Sequence, residues 1–505
     1  MSTELNLNLS MFRAYDIRTP SSALTPELAE RLSRAEARYF LETLGVDRVL
    51  LAHDARSSGP AYLTIAADIY QQAGLEVLYM PGVTSTSHFY FTAMQHPDAA
   101  AVMCGASHNP AGDTGRKTLG PNVQPIAEHI GRAGGLDQIK AFYIEDGPLK
   151  PDEPGGIRPI DSLDDYIEYS MELAGVEPGS LQGVQIFHDY LFGAGGREMM
   201  LAFERAGAAL TPLHFAPDGS FPLGDPNPVK AGVIQPGLDR LKDGKFLLGT
   251  FFDGDADRVD FYSGDGRYLS SSFVYAGILP QLRKRFPGSG YGVYADLKSN
   301  PLALIEMART GFRVGVMRNG HSQIKNALIE DTAMVGAVEE SAHFYESFMV
   351  NGAGPYSTEN TLYIALLTAK SWYVNPRRFE QLFEIQAQTS REREWGHHFT
   401  SDTDRERALD AVRNHFVSAG AAARSSTQNG MDLEATMMRR GLPFEIDQNT
   451  TLDEGWVQIC QRISQSENGL ARWEVVSGSP TVSAEAKALI IEIVMALGGS
   501  APYVG

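Results

Sequence analysis

Asp253, Asp255 and Asp257 occupy alternate positions of Asp253-Gly254-Asp255-Ala256-Asp257-Arg258, and an apolar run from Lys245 to Phe252 leads directly into them. A tight, glycine-containing loop with three carboxylates gathers hard oxygen ligands, and Mg²⁺ is the ion that suits such a set. The spacing resembles the first half of a calcium loop, but Gly264 falls where the later glutamate should stand. Arg258 follows at once and is able to hold a phosphoryl oxygen or neutralise the carboxylates. A second segment, Gly105-Ala106-Ser107-His108-Asn109-Pro110, offers a serine hydroxyl beside a histidine, with Lys117 soon after in Gly115-Arg116-Lys117. A serine hydroxyl needs a base or an attached phosphoryl group, a metal to neutralise charge, and cations around the phosphoryl oxygens. Alone, Ser-His-Asn-Pro reads as an ordinary turn. Together the two segments specify phosphoryl transfer, with a metal beside a phosphoserine and His108 in reach for proton transfer.

Glu339-Glu340-Ser341-Ala342-His343 brings two acids, a serine and a histidine onto one loop. A carboxylate bridges two neighbouring hydroxyls, which suits a sugar, yet the same residues fit a helix N-terminus with acids in its first turn equally well. Gly320-His321-Ser322-Gln323-Ile324-Lys325 adds a histidine and a lysine ahead of a helical segment, and Lys298 ends another strand. A serine hydrolase is a poor reading, because there is no Gly-x-Ser-x-Gly elbow and acyl transfer has no use for three aspartates in a loop.

Helical and strand-like segments alternate, the signature of α/β layers with a largely parallel sheet. Thr25-Pro26 reads as an N-cap with proline in the first turn; Leu28, Leu32, Ala35, Tyr39 and Phe40 recur at helical spacing, and Gly45 supplies a stop. Arg48 to Ala52 then reads as a buried strand running into the polar loop His53 to Gly59. Ala99–Met103 into the Ser107 loop, Lys245–Phe252 into the aspartate loop and Thr332–Val338 into the Glu339 loop repeat this grammar, which suggests duplicated domains facing one cleft. Asp146 to Ile160 reads as a linker, and a helix from Ala484 to Leu497, capped by Ser483, closes the chain.

The bulk properties fit a soluble cytoplasmic protein. At 505 residues several domains are expected, and a net charge of −19 argues against nucleic acid or an anionic membrane as partner. Two cysteines, Cys104 and Cys460, make no disulfide framework; the opening residues carry no secretory signal, and no apolar run reaches the ~20 residues of a membrane span.

In this order the landmarks resemble the α-D-phosphohexomutases, the phosphomannomutase/phosphoglucomutase family. Phe12-Arg13-Ala14-Tyr15-Asp16-Ile17-Arg18 is similar to the family's opening motif, Ala106–Pro110 to its phosphoserine loop, Asp253–Arg258 to its metal loop and Glu339–His343 to its sugar-specificity loop. Phe221-Pro222 with Pro226-Asn227-Pro228 fits a family segment ahead of the metal loop. The resemblance implies an α/β fold of four domains around a central cleft, three related mixed α/β domains and a C-terminal α+β domain. Their expected bounds are 1–155, 156–264, 265–375 and 376–505. It implies Ser107 as the phosphorylated carrier, Mg²⁺ held by phospho-Ser107, Asp253, Asp255 and Asp257, and Arg18, Lys117 and Arg258 around the transferring group. His108 and His321 are then candidates for acid–base work and Lys298 for a substrate contact. Glu339 and Ser341, with His343, would meet the sugar, and Arg462, Ser464 and Ser466 its non-reacting phosphate. A hexose 1,6-bisphosphate serves as intermediate and activator, and the protein is a monomer or dimer.

The sequence departs from the family in places. The C-terminal phosphate loop, usually Arg-x-Ser-(Gly/Asn)-Thr-Glu-(Pro/Asn), here reads Arg462-Ile463-Ser464-Gln465-Ser466-Glu467-Asn468, and the arginine that normally follows comes one position late, as Arg472. Thr19 stands where the opening motif has glycine. The form Glu-x-Ser-Ala-His resembles bacterial phosphomannomutases, so mannose phosphate leads, ahead of glucose phosphate or dual use. The altered phosphate loop keeps open a non-catalytic sugar-phosphate-binding homologue.

Overall fold

The computed structural model describes residues 7–149, 153–427, 429–464 and 469–503. The chain divides into two compact units. One comprises Met1–Ser270, His321–Thr332 and Ser341–Val374, the other Ser271–Gly320, Ala333–Glu340 and Asn375–Gly505.

In the first unit, helix Pro26–Arg38 begins as its residues dictate: the Thr25 hydroxyl accepts from the Leu28 amide at 3.4 Å, and Pro26 stands at the first position. The chain continues through a wider helical turn, Tyr39–Leu44, and stops at Gly45, whose φ is 71°. Leu28, Leu32, Ala35, Tyr39 and Phe40 are all buried in the core that this helix shares with Val49, Leu51 and Val102. Beneath it lies a sheet in the order Ile17–Pro20, Asp113–Gly120, Ala100–Cys104, Arg48–His53, Glu76–Val83, Ile157–Pro159. The last four run parallel, whereas Asp113–Gly120 is antiparallel to both its neighbours, so the sheet is mixed rather than largely parallel. The stretch expected as a linker supplies the edge strand Ile157–Pro159. A second sheet, ordered Tyr268–Leu269, Val259–Ser263, Leu248–Phe252, Gln185–Asp189, Ala209–Leu213, has the aspartate loop as the turn between two fully buried antiparallel strands. Helix His321–Glu330, the hairpin His343–Val350 with Ala353–Glu359, and helix Thr361–Val374 also belong to this unit.

The second unit holds three parallel strands, Gly292–Asp296 between Arg313–Met317 and Met334–Glu339. It also holds an antiparallel sheet ordered Ser390–His398, Leu470–Ser477, Val457–Ile463, Asp432–Arg440, Ala422–Ser426. Helices Asp402–Ser418 and Pro480–Ala496 pack against that sheet through Trp395, Trp473, Val475, Val412 and Ile490. The closing helix starts earlier than the sequence suggested. Ser479 precedes Pro480 at the first position, and Ser483 is a buried helical residue whose hydroxyl donates to the Ser479 carbonyl at 3.1 Å, not a cap. The fold class is mixed α/β with a C-terminal α+β part. Among the described residues no helix is long and apolar enough to cross a membrane, and both cysteines are buried and free.

Successive residues of a strand face opposite ways. On Asp113–Gly120, Arg116 turns into the core beneath helix Pro26–Arg38, where it donates to Ser33 Oγ at 2.9 Å and to the buried carboxylate of Glu36, which also accepts from Tyr70. Removing one partner of a buried pair leaves an uncompensated charge, so Arg116→Met should cost about 3–5 kcal/mol in denaturant unfolding, and adding Glu36→Leu should restore most of it. In the second unit, burial, reinforced by Glu340 and Glu339, pushes the Asp296 carboxyl up to about 6 against the pull of Lys298. The folded state therefore favours the protonated form, and this contribution is present at low pH and lost as pH rises through about 6. Asp296→Asn, which mimics the protonated group, should gain on the wild type by up to about 3 kcal/mol between pH 4 and 7 in the same measurement.

Candidate active site

Ser107 leaves its strand with φ 49°, a left-handed conformation that costs a non-glycine residue on the order of 1–3 kcal/mol and marks a site the surroundings hold in place. Its Oγ donates to Asp253 Oδ2 at 2.8 Å and lies 3.2 Å from His108 Nδ1. Arg18 crosses from the edge strand. Its Nε pairs with Asp16 at 2.8 Å, while one terminal nitrogen donates to the Ala106 carbonyl at 3.1 Å and to Asn109 Oδ1 at 2.7 Å. Burial, with the Arg258 and Arg18 guanidiniums nearby, holds His108 well below the usual imidazole range, so the ring is neutral.

The three aspartates are all buried, and one carboxylate oxygen from each lies within 4.8 Å of the others. Ala256, inside their loop, takes φ 54°, and Gly254 is required: a Cβ there would lie 2.7 Å from the Ser107 carbonyl oxygen. Lys117, on the strand face opposite to Arg116, donates to Asp255 Oδ2 at 2.7 Å and to Asp257 Oδ2. Although burial opposes it, Lys117 with His343 keeps Asp257 well below the usual carboxylate range, while burial and the two neighbouring aspartates push Asp253 well above it. Arg258 donates its amide to Asp253 Oδ1 at 3.2 Å, and its Nε stands 3.8 Å from Asp253 Oδ2. Asp255 Oδ1 is buried without a hydrogen-bond partner among the described residues, so the loop has an oxygen to offer, and the donor set fits a hard divalent cation.

His343 Nε2 sits 3.2 Å from Asp257 Oδ1, and its Nδ1 sits 3.2 Å from Ser341 Oγ. His321 opens helix His321–Glu330, 3.9 Å from Asp16 Oδ2, and Ser322 beside it donates to the Tyr15 carbonyl at 3.1 Å. Ser107, His108, Arg18, Lys117, Arg258, His321, Ser341, His343 and the aspartates thus all belong to the first unit.

Glu339, Lys298, Arg462 and Ser464 belong to the second unit. Glu339 Oε1 accepts from the Gly320 amide at 3.0 Å and from Asn319 Nδ2 at 3.2 Å. It ends a buried strand rather than opening a helix. Arg462 and Arg472 are directly opposed on antiparallel strands, and both donate to Glu394, at 2.9 and 2.8 Å. Although burial opposes it, Lys298 and these two arginines hold Glu394 down to about 2. The one-residue delay of Arg472 is thus what sets it across from Arg462. Ser464 is buried, while Gln465 and Ser466 lie outside the described residues.

Several residues of the site escaped the sequence reading. The segment His53–Gly59 reads in the sequence as a polar loop, yet Asp54 and Arg56 are buried beneath the Ser107 loop, and Arg56 donates to the Ser107 carbonyl at 2.8 Å. Thr86 donates its hydroxyl to Asp255 Oδ2 at 2.6 Å. Glu359 brings a carboxylate oxygen within 4.8 Å of the His343 and Asp257 donors and pairs with Lys325 at 3.1 Å. An acid and a base two residues apart at the end of a buried strand is the signal that Asp54 and Arg56 did carry.

Residues 9–133 match the description phosphoglucomutase/phosphomannomutase, alpha/beta/alpha domain I, and residues 164–266 match domain II. A phosphomannomutase of Escherichia coli is 25% identical over 353 residues, 68% of this chain and 75% of that protein. A phosphoglucomutase of Neisseria meningitidis is 28% identical over 341 residues, 67% of this chain and 71% of that protein. The crystal structure of a phosphoglucomutase/phosphomannomutase family protein from Burkholderia thailandensis has the same fold, with a TM-score of 0.77 at 21% identity over 99% of this chain and 100% of that one. The first matched range carries Arg18, Ser107 and Lys117 and the second the three aspartates, so sequence likeness falls on the very loops whose geometry suits phosphoryl transfer, and the chain belongs to the α-D-phosphohexomutase family, a family of isomerases.

Proposed function

We propose that the chain interconverts hexose 6-phosphate and hexose 1-phosphate, with mannose phosphate as first substrate, through phosphorylated Ser107 and a hexose 1,6-bisphosphate. The observation that carries this reading is the Ser107 hydroxyl donating to Asp253 at 2.8 Å in a loop whose carboxylates Lys117 and Arg258 partly neutralise. Asp253, Asp255, Asp257 and the phosphoserine are the groups that would hold Mg²⁺, and the ion would supply neutralisation of charge on the transferring oxygens. Lys117 pairs with two of those carboxylates, Asp255 and Asp257, and against burial it holds Asp257, with His343, well below the usual carboxylate range; Arg18 and Arg258 offer planar donors to the phosphoryl oxygens. In the forward step the bond from phosphorus to Ser107 Oγ breaks as one forms to a sugar hydroxyl oxygen. The hydroxyl proton passes to a neutral base, for which His108 is placed, its Nδ1 lying 3.2 Å from Ser107 Oγ. His321 is the second candidate. The bisphosphate then turns over, and its other phosphoryl group returns to Ser107.

In this reading Glu339, with Ser341 and His343, takes the sugar hydroxyls, Lys298 makes a substrate contact, and Arg462, Ser464 and Ser466 take the phosphate that does not react. The domains run 1–155, 156–264, 265–375 and 376–505. The lead of mannose rests on the Glu339-x-Ser341-Ala342-His343 form, and glucose phosphate stands beside it because relatives of both names match. A cytoplasmic location suits small anionic substrates met by a local basic pocket in a chain of net charge −19.

Incubation with Mg²⁺, a trace of glucose 1,6-bisphosphate and either mannose 1-phosphate or glucose 1-phosphate should give the 6-phosphate, followed by phosphorus NMR. Ser107→Ala should lower the rate by roughly 10³-fold or more. Chelation of Mg²⁺ should stop the reaction and its return restore it. The ratio of the two rates ranks the sugars; binding of both without turnover would instead support a non-catalytic sugar-phosphate-binding protein.

A further inference from the structure

We infer that Arg56 is a positioning residue for the phosphoryl carrier, holding the backbone of the Ser107 loop so that its carbonyl oxygens are drawn off the transferring group. The inference rests on the reading of Ser107 as that carrier. Arg56 is 1% exposed, and its two terminal nitrogens donate to the carbonyls of Ser107 at 2.8 Å, Asn109 at 2.6 Å, Asp113 at 3.0 Å and Pro110. Arg18 takes the Ala106 carbonyl at 3.1 Å. Two guanidiniums therefore collect five carbonyls from the turn that carries Ser107. A phosphoryl group on a serine is close to a dianion, and each carbonyl presents a partial negative charge. A carbonyl engaged by Arg56 is unavailable to face that dianion, and the same bonds hold Ser107 at its positive φ.

The surroundings fix the guanidinium in turn. Asp54 Oδ1 accepts from the Arg56 amide at 3.0 Å, and Asp54 Oδ2 accepts from Arg56 Nε at 3.2 Å and from the Ala106 amide at 3.0 Å. This pair thus grips both polar sides of the loop backbone. The buried ring of Phe221 lies 5.4 Å from the guanidinium carbon. Phe221 belongs to the Phe221-Pro222 segment, so the residues ahead of the metal loop close over the support of the serine loop. A lysine keeps the charge but has no planar fork with which to serve four carbonyls.

The test is single-turnover transfer from phospho-Ser107 to mannose 1-phosphate by rapid quench, together with steady-state kinetics, on the full chain with Mg²⁺. Arg56→Lys should slow the transfer step and kcat roughly 10–100-fold while KM for the sugar phosphate stays within about twofold, as expected when geometry at the reacting centre and not substrate binding is disturbed. Arg56→Ala should regain part of the lost transfer rate on addition of methylguanidinium. Should Arg56→Lys fail to fold, Phe221→Leu keeps the guanidinium and removes the ring over it, and should slow transfer in the same sense. Wild-type transfer rates in a folded Arg56→Lys or Phe221→Leu variant, or a rise in KM with kcat unchanged, overturn the inference alone. A wild-type chain that takes no phosphate on Ser107 from the bisphosphate overturns the functional reading and this inference with it.

Discussion

A lysine ammonium buried between two carboxylates is the constraint on which the rest of the site depends. Asp253, Asp255 and Asp257 are each at most 3% exposed, and three carboxylates so placed would repel one another and pay heavily for lost hydration. Lys117 bridges Asp255 and Asp257 and so makes the cluster tolerable in the fold. Its reach comes from a strand whose preceding residue, Arg116, is spent on the core, so one period-two alternation ties the packing under helix Pro26–Arg38 to the chemistry on the other face.

Around that pair the chain is held in conformations it would not choose freely. Ser107, Ala256 and Phe221 all take positive φ values, and glycine stands at 254 because a side chain there would strike the Ser107 carbonyl. Strain of this kind persists only where neighbouring contacts over-determine it. Here they do: Arg18 and Arg56 hold the loop through its carbonyls, Asp54 through an amide, and Asp253 through the serine hydroxyl. A loop so bound needs little reorganisation when charge moves through it, which is the condition under which fixed dipoles and cations stabilise a transition state well.

Much of the local structure was legible in the chain. Thr25-Pro26 and Gly45 bounded the helical segment between them, and each apolar run that ended in a polar loop became a buried strand within a few residues of its expected limits. The closing helix begins at Pro480, ahead of the Ser483 cap that the sequence suggests, because proline at a first helical position lacks only an amide that has no partner there in any case. The antiparallel placement of Asp113–Gly120 was not legible either, since strand direction follows from tertiary pairing and leaves no mark in hydropathy. Thr86 and Glu359 are illegible for a related reason: each is an ordinary polar residue until the fold sets its partner from a distant segment beside it, whereas Asp54 and Arg56 are marked by their own close spacing.

By itself the sequence determined which atoms the site has to work with. A serine, three alternate aspartates and the cations near them specify phosphoryl chemistry because charge, hardness and nucleophilicity belong to side-chain types and short spacings, which are local. The tertiary structure decided which of those atoms meet. Ser107 and Asp253 are 146 residues apart yet share a 2.8 Å hydrogen bond, and Lys117 finds Asp255 across 138 residues. Such meetings depend on sheet order and on loops closed over long spans, quantities set by the packing of the whole chain and by no segment of it.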